Sequence, residues 1–158
     1  MGLVIRPASL EDAAAIRRLE MEALGYDCAL EMTRRRLGEV LPNPANRVWI
    51  AEGEGAVRGF VHAADYDCLH CESLKNILSL AVDGAARRQG VGRALVAAVE
   101  GWAKECGCAG VRLVSGMNRR EAHRFYEACG YHVRKEQKNF IRLFGEPASL
   151  GMEGETDG

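Results

Sequence analysis

One buried strand followed by a long amphipathic helix constrains the fold of this chain more than any other feature. Residues 73–82 carry apolar side chains at both odd and even positions, namely Ile77, Leu78, Leu80 and Val82. Burial of both faces is typical of a strand inside a sheet. Between residues 90 and 106 the apolar residues recur at helical spacing and form one stripe, which consists of Val91, Leu95, Val99, Trp102 and Cys106. Such a strand and helix together predict an α/β domain.

The rest of the chain alternates between strand-like and helix-like periods. Strands are predicted at residues 3–6, 48–51, 57–63, 111–114, 131–133 and 140–143, and an irregular segment is predicted at 65–72. Helices are predicted at residues 9–25, 30–37 and 118–129, with Gly25, Pro42 and Gly130 marking their ends. The element order is therefore β-α-α-β-β-β-α-β-α-β-β, which indicates a mixed α/β fold.

Length and charge favour one small domain with a small ligand. The chain has 158 residues, and we assign a single domain to residues 1–144 and an acidic, disordered tail to 145–158. Without the tail the net charge of −1 becomes a small positive surplus, too little for a nucleic-acid-binding face. No apolar run is long enough to span a membrane, and no secretion signal is visible. We expect a cytoplasmic protein with no nucleic-acid or membrane partner.

The six cysteines leave a metal or redox site open as an alternative. Cys68 and Cys71 form a Cys-x-x-Cys pair that encloses His70, and Cys106 and Cys108 form a Cys-x-Cys pair. Typical zinc sites show two paired clusters at standard spacing, which this chain lacks. Reduced thiols are the simpler interpretation in the absence of an export signal, and no residue is assigned to a metal.

The connection between the buried strand and the long helix has the features of a phosphate site. The first turn of a helix offers unpaired N–H groups and the positive end of the helix dipole. Gly90 and Gly92 allow a ligand to approach the backbone, while Arg87, Arg88 and Arg93 add positive charge. Neither the P-loop pattern nor the dinucleotide-binding glycine pattern occurs here. The expected ligand is a pyrophosphate or a nucleotide.

Three sequence blocks around this connection carry a family resemblance. The connection reads Arg87-x-x-Gly90-x-Gly92, and the strand before it ends Leu80-Ala81-Val82-Asp83. Downstream, Asn118 precedes the block Phe125-Tyr126-Glu127-Ala128-Cys129-Gly130-Tyr131. In pattern and spacing these blocks resemble the GCN5-related N-acetyltransferase (GNAT) superfamily. The resemblance covers about residues 79–131 and implies a mixed, mostly antiparallel sheet flanked by helices.

The resemblance also implies a cosubstrate, acetyl-CoA. Its pyrophosphate is expected to lie on the loop and helix start formed by Arg87, Arg88, Gln89, Gly90, Val91, Gly92 and Arg93. Its pantetheine arm and thioester are expected to contact the backbone of Leu80, Ala81 and Val82, where the strand diverges from the next one. By the same resemblance, Asn118 hydrogen-bonds the pantetheine, although a helix N-cap is an equal alternative for this residue.

The sequence indicates a candidate acid for the reaction but does not single out one base. The resemblance implies that Tyr126 protonates the CoA thiolate, although a tyrosine can also merely orient the sulfur. A base must deprotonate the attacking amine, and Glu72 is our candidate, with Asp65, Asp67 and His70 as further acidic or basic groups of the same segment. A water relay would make a single base unnecessary.

The acceptor is expected to be a primary amine of a small molecule or peptide. Residues 122–127 resemble members of the family that acetylate aminoglycosides or other small amines. The resemblance also allows a homodimer, and it leaves open a binding module of the same fold that senses acyl-CoA without turnover.

Overall fold

The computed structural model describes residues 2–152, which divide into two units, residues 2–114 and 115–152. The predicted single domain over residues 1–144 stays a prediction. Residues 145–152 of the predicted tail include a short 3-10 turn at Ala148–Leu150, and residues 153–158 lie outside the described part. Within the described residues, no helix is long and apolar enough to cross a membrane.

The first unit contains all five strands of the described chain. These are β1 (Leu3–Pro7), β2 (Asn46–Gly53), β3 (Ala56–Cys68), β4 (Cys71–Val82) and β5 (Gly110–Leu113). Its helices are α1 (Ala13–Leu19), α2 (Leu30–Val40) and α3 (Val91–Glu105). A 3-10 turn at Leu10–Asp12 leads into α1, and a π-helical segment at Glu20–Leu24 continues it.

The strands form one sheet in the order β1-β2-β3-β4-β5. All neighbours pair antiparallel except β4 and β5, which are parallel. Helices α1 and α2 cover one face, where Ile16, Leu19 and Leu37 pack with Ile50 and Phe60. Helix α3 covers the opposite face. The predicted mixed α/β fold with a mostly antiparallel sheet and flanking helices is confirmed.

A β-bulge in β4 corrects our interpretation of its apolar pattern. His62 pairs with Ser79 and Ala63 pairs with Ile77, so Leu78 is an extra residue without a cross-strand partner. The side chain of Leu78 is 52% exposed, whereas Ile77 is buried. The apolar residues at odd and even positions therefore reflect a change of phase at the bulge, and Leu78 is not buried as we predicted. Burial on the face covered by α1 and α2 comes from Ala81, which packs with Phe60.

The segment predicted as irregular, residues 65–72, is a hairpin. Strand β3 continues to Cys68, β4 begins at Cys71, and these two residues face each other across the turn. The sequence there is polar because this end of the hairpin is largely exposed. Cross-strand bonds maintain the pairing, including the hydrogen bond that the Ser73 hydroxyl donates to Asp67 over 2.5 Å.

The second unit has one helix, α4 (Arg120–Ala128), and corrects our prediction of two closing strands. Residues 131–133 and 140–143 form no strand in the described part of the chain. Phe140 and Ile141 are 87% and 66% exposed. Apolar, β-branched residues predict strand character, but a strand also needs a neighbour that pairs with its backbone groups, and local sequence does not supply one.

An ion-pair cluster joins the first strand to the first helix. The Arg6 guanidinium donates two hydrogen bonds of 2.9 Å to the Asp12 carboxylate and one of 3.0 Å to Glu52. Asp12 also accepts the backbone N–H of Ser9, which completes a capping box. The Arg6 hydrogen bond is the main reason that the pKa of the Asp12 carboxyl lies below its ordinary value.

Close backbone packing fixes the start of α3 against the sheet. Gly59 of β3 lies opposite Val82 at the end of β4. A Cβ atom at position 59 would lie 2.8 Å from the carbonyl oxygen of Ala81, 3.1 Å from Val91 and 3.2 Å from Leu95. Only glycine therefore allows the first turns of α3 to approach the sheet this closely.

The other end of α3 is anchored by Trp102, which is buried against the same face of the sheet. Its ring makes an edge contact with Trp49 at 5.8 Å between centroids. The ammonium group of Lys75 lies 3.9 Å from the centre of the Trp102 ring and 2.6 Å from the Asp65 carboxylate. A buried lysine is stable here because it has both an aromatic face and a carboxylate as partners.

We expect Gly59→Ala to destabilise the protein by about 1–3 kcal/mol, because the new methyl group must displace the Ala81 carbonyl or the start of α3. Urea unfolding monitored by circular dichroism measures this. The matched control is Gly101→Ala, inside α3, where an added Cβ meets no atom within 4 Å and should be neutral or slightly stabilising. Equal stability of the Gly59 variant and the wild type would contradict the packing argument.

We expect Asp12→Asn to lower the free energy of unfolding by about 1–3 kcal/mol at pH 7, since it leaves Arg6 without its main partner. The Asp12 carboxyl has a lower pKa in the folded protein than in the unfolded chain, where it is near 3.8. It therefore stabilises the folded protein fully at pH values above 3.8, and this stabilisation is lost as the pH falls through the lower, folded pKa. The difference between variant and wild type should therefore shrink below about pH 4. Urea unfolding at pH 7 and pH 3 tests this, with the exposed Glu11→Gln as control. A difference that does not depend on pH would exclude this ion pair as its source.

Candidate functional site

The pairing between β4 and β5 ends halfway along β4. It runs from Leu74 opposite Gly110 to Ile77 opposite Leu113, whereas the pairing of β4 with β3 continues to Val82. Within residues 2–114, no strand lies beside the β5-facing edge of β4 between Leu78 and Val82. The N–H and C=O groups that point toward that side are obligatory hydrogen-bonding groups, so this edge is suited to an extended ligand with amide groups.

The bulge at Leu78 lies where this open edge begins. A bulge bends a strand and turns its backbone groups away from the regular ladder, and bulges are frequent beside active sites. Backbone N–H groups that point into a cleft can bind the oxygen of a carbonyl group and stabilise negative charge on it. The open half of β4 therefore combines a place for an extended chain with donors for an oxyanion.

Asp83 shapes the loop that follows β4. Its backbone N–H donates to the Arg58 carbonyl over 2.7 Å, and its carboxylate accepts the N–H of Ala85 over 3.1 Å. The same carboxylate lies 3.9 Å from the guanidinium groups of both Arg18 and Arg58. Asp83 is thus neutralised by its neighbours and serves the loop as a cap. The Asp83 carboxylate therefore competes less with an anion for the arginine-rich segment that follows it.

Two residues of the loop adopt left-handed backbone conformations. Arg88 has φ of 64° and Gly90, the N-cap of α3, has φ of 80°. Glycine adopts this conformation freely, whereas an arginine in it is under strain, which is frequent at functional sites. The first intrahelical bond of α3 runs from the Ala94 N–H to the Gly90 carbonyl, so the N–H groups of the turn before Ala94 lie outside the helical ladder.

The predicted cofactor residues of the first unit are adjacent in the structure. Val91 is buried and packs near Gly59, which lies opposite Val82, so the start of α3 is next to the end of β4. The exposed residues of this segment are Arg87, Arg88, Gln89, Gly90 and Arg93, and Gly92 is half-buried. A buried anchor with exposed cations and a helix start is an arrangement that can bind a pyrophosphate.

A small cleft of ≈ 190 Å³ lies beside this segment. Val82, Asp83 and Arg87 line one side, and Glu22 and other residues of α1 and the π-helical segment line the other. Within the same π-helical segment, burial raises the pKa of Glu20. Sequence reasoning did not single out Glu22, which lines this cleft. The helical period predicts a continuous helix and carries no signal for a π-helical turn.

His62 is a second group that the sequence did not single out. It lies on β3 opposite Ser79, directly beside the bulge, and its Nε2 atom is 2.8 Å from Asn46 Oδ1. Burial, and to a smaller extent the positive charge of Arg36, lowers the pKa of His62 to about 4. The imidazole is therefore neutral near pH 7 and is a weak proton acceptor, which favours a structural role.

Glu72, the predicted base, lies at the far end of β4 from the cofactor loop. It is exposed, next to the hairpin turn, and eight residues before Leu80. At about 3.3 Å per residue this corresponds to roughly 26 Å along the strand. The structure therefore does not bring Glu72 together with Leu80–Val82. Asp65, another candidate, is bonded to Lys75.

Tyr126 and Asn118 belong to the second unit. The Tyr126 ring makes edge contacts with Phe125 at 5.1 Å and Tyr131 at 5.9 Å between centroids. Burial is the main cause that raises the pKa of Tyr126 to about 12, so its hydroxyl stays protonated near neutral pH. Asn118 is exposed, and Arg119, not Asn118, is the N-cap of α4. The N-cap alternative for Asn118 is thus not observed.

Comparison with known proteins connects this site to one family. The model of the Acetyltransferase (GNAT) family matches residues 13–131. An aminoglycoside N(6')-acetyltransferase type 1 from Stenotrophomonas maltophilia is 37% identical over 60 residues, which are 38% of this chain and 39% of that protein. The chain thus aligns with about two fifths of this curated relative's length.

Solved structures show the same fold. The aminoglycoside 6'-N-acetyltransferase AAC(6')-Ih from Acinetobacter baumannii has a TM-score of 0.79 and 18% identity, covering 91% of this chain and 100% of that one. AAC(6')-Iy in complex with the bisubstrate analogue CoA-S-monomethyl-acetylneamine has a TM-score of 0.78 and 21% identity, covering 90% and 99%. At these identities the likeness concerns the fold. Since the family model spans most of the sequence, from α1 to the block that contains Tyr126, this chain belongs to the GNAT family of acetyltransferases.

Proposed function

We propose that this protein is an N-acetyltransferase that transfers the acetyl group of acetyl-CoA to a primary amine of a small molecule by direct attack. The observation that carries the proposal is the half of β4 that has no strand on its β5 side within residues 2–114. This half ends at an arginine-rich loop and a helix start. An extended amide chain with a pyrophosphate at one end matches both parts, and the pantetheine arm of CoA has this chemistry. Membership in the GNAT family supports the same cosubstrate.

The pyrophosphate would bind to the backbone of the α3 start, with positive charge from Arg87, Arg88 and Arg93. Gln89 and Gly90 would complete the loop, and Gly92 would allow the phosphates to approach the helix closely. The pantetheine amides would pair with the backbone of Leu80, Ala81 and Val82 in place of a missing strand. Asn118 would donate or accept one further hydrogen bond to the pantetheine.

Acyl transfer then requires three proton and charge movements. The neutral amine attacks the thioester carbonyl and forms the C–N bond, while a backbone N–H of the open part of β4 stabilises the oxyanion. The intermediate loses the amine proton and expels the CoA thiolate as the C–S bond breaks. The thiolate takes up one proton, so the products are an amide and free CoA.

Tyr126 is proposed to hydrogen-bond the leaving sulfur. With its pKa raised to about 12, the phenol is fully protonated near neutral pH and available as a donor. A thiol has a reference pKa of about 8.5, so complete transfer of the phenolic proton is unfavourable unless the proton released by the amine replaces it. We therefore propose that Tyr126 stabilises the developing thiolate and passes on a proton derived from the amine.

The acceptor proposed is a small polyamine of the aminoglycoside type. Two relatives support this class, because both are aminoglycoside acetyltransferases by name. The acceptor class rests on these relatives, because Glu22, which lines the cleft beside the loop, is already paired with Arg18. Because Glu72 lies far from Leu80 along β4, we propose a water relay rather than Glu72 for removal of the amine proton.

An assay of CoA release with a panel of amines tests the proposed function. Aminoglycosides and linear polyamines should give acetyl-CoA-dependent thiol release, and lysine-containing peptides should give less. Binding of acetyl-CoA without release for any amine would contradict the enzymatic function and favour an acyl-CoA sensor of the same fold. Absence of acetyl-CoA binding would contradict both.

We expect Tyr126→Phe to lower kcat by about 10- to 100-fold with little change in acetyl-CoA affinity, because the lost hydroxyl acts on the leaving sulfur. Steady-state kinetics and calorimetric titration with acetyl-CoA measure the two effects separately. Tyr26→Phe is the control, since Tyr26 is an exposed tyrosine of the first unit. Unchanged kcat in the Tyr126 variant would remove this residue from the mechanism.

We expect Gly90→Val to weaken acetyl-CoA binding by at least about tenfold, because a β-branched residue disfavours φ of 80° and blocks the approach of the phosphates. Gly107→Val is a matched control, since Gly107 follows the other end of α3 with φ of 71° and an added Cβ there also meets no atom within 4 Å. Both variants should lose similar stability in urea. Equal loss of acetyl-CoA affinity in both would indicate a general effect on folding.

A further inference from the structure

The tip of the β3–β4 hairpin brings together three side chains that can bind a transition metal, which are Cys68, His70 and Cys71. The Sγ atoms of Cys68 and Cys71 lie 2.9 Å apart, and the Cys68 Sγ atom is 4.0 Å from His70 Nε2. All three ligand atoms lie within 4.8 Å of one another. The sequence offered only a Cys-x-x-Cys pair with an intervening histidine. The hairpin register, which sets Cys68 opposite Cys71, turns that spacing into a cluster.

We propose that Cys68, His70 and Cys71 form a binding site for one zinc ion. Two thiolates and an imidazole suit zinc and exclude calcium and magnesium, which prefer oxygen ligands. Three protein ligands leave one tetrahedral position for water. The flanking residues Asp67 and Glu72 are both acidic, which further favours a cation at this tip.

The distances allow either a metal site or a disulfide between the two cysteines. Tetrahedral zinc with Zn–S bonds of about 2.3 Å separates two sulfur atoms by about 3.8 Å, whereas a disulfide requires about 2.05 Å. The observed 2.9 Å lies between these values, so each arrangement needs a similar movement. His70 favours the metal site, because its Nε2 atom lies 4.0 Å from the Cys68 Sγ atom and would supply a third ligand.

The site is accessible and its frame is fixed. His70 and Cys71 are exposed, and Leu69 at the turn is fully exposed, so an ion can enter from solvent. The hydrogen bond between Ser73 and Asp67 and the backbone pairing below it hold the two strand ends together. Zinc would cross-link the strands at the tip, far along β4 from Leu80, and would stabilise the hairpin without entering the acyl-transfer chemistry.

Cobalt(II) titration of the reduced, tag-free protein tests the proposal. We expect one equivalent of cobalt(II) to bind and to give the visible absorption of a tetrahedral thiolate complex. Zinc should displace the cobalt and remove this absorption. Cys68→Ser and Cys71→Ser should abolish this absorption, and His70→Ala should weaken binding by roughly tenfold or more. The double variant Cys106→Ser and Cys108→Ser is the control and should bind cobalt as the wild type does. Acetyl transfer is not needed for any of these measurements.

A second measurement uses only the wild-type protein and needs no variant. Zinc should protect Cys68 and Cys71 of the wild-type protein from alkylation by iodoacetamide, and Cys28 should react equally with and without zinc, as mapped by mass spectrometry. The proposal is overturned if no cobalt complex forms, or if the complex survives loss of Cys68 and Cys71. The proposal is also overturned if the reduced protein binds neither cobalt nor zinc and oxidised glutathione converts Cys68 and Cys71 to a disulfide. The two cysteines would then be a dithiol–disulfide pair.

Discussion

The short pairing between β4 and β5 is the constraint on which the candidate site depends. Backbone N–H and C=O groups must find partners, and β4 meets this need on the β5 side only as far as Ile77. Beyond that residue the strand is bonded to β3 alone within the first unit. The sheet thus contains an internal edge that a ligand with amide groups can complete, and the bulge at Leu78 marks where that edge begins.

Other contacts hold the segment proposed to bind the pyrophosphate at the end of this edge. Gly59 permits the start of α3 to lie against the sheet, and Trp102 anchors the far end of the helix. Asp83 caps the loop between them and is itself neutralised by two arginines. Because each contact belongs to a different element, the helix axis and the loop are fixed independently of any ligand.

Local physics accounts for what could be predicted from the sequence. The predicted helix at residues 90–106 and the observed α3 at Val91–Glu105 agree to one residue, because apolar spacing and Gly90 define both the helix and its start. The bulge at Leu78 was missed because it depends on the register with β3. The π-helical turn at Glu20 was missed because its residues also satisfy an ordinary helical period. The two predicted closing strands were wrong, since strand propensity does not provide a pairing partner.

The left-handed conformation of Arg88 has a consequence for binding kinetics. A strained residue costs of order 1–3 kcal/mol, and the contacts of the fold itself supply this free energy. Under the proposed function, the loop would already have its binding conformation and would lose little conformational entropy on contact. Association should then be a single encounter step, and its rate should depend on ionic strength because the charges of the arginines attract the anion. Differences in affinity among related ligands should come mainly from their dissociation rates.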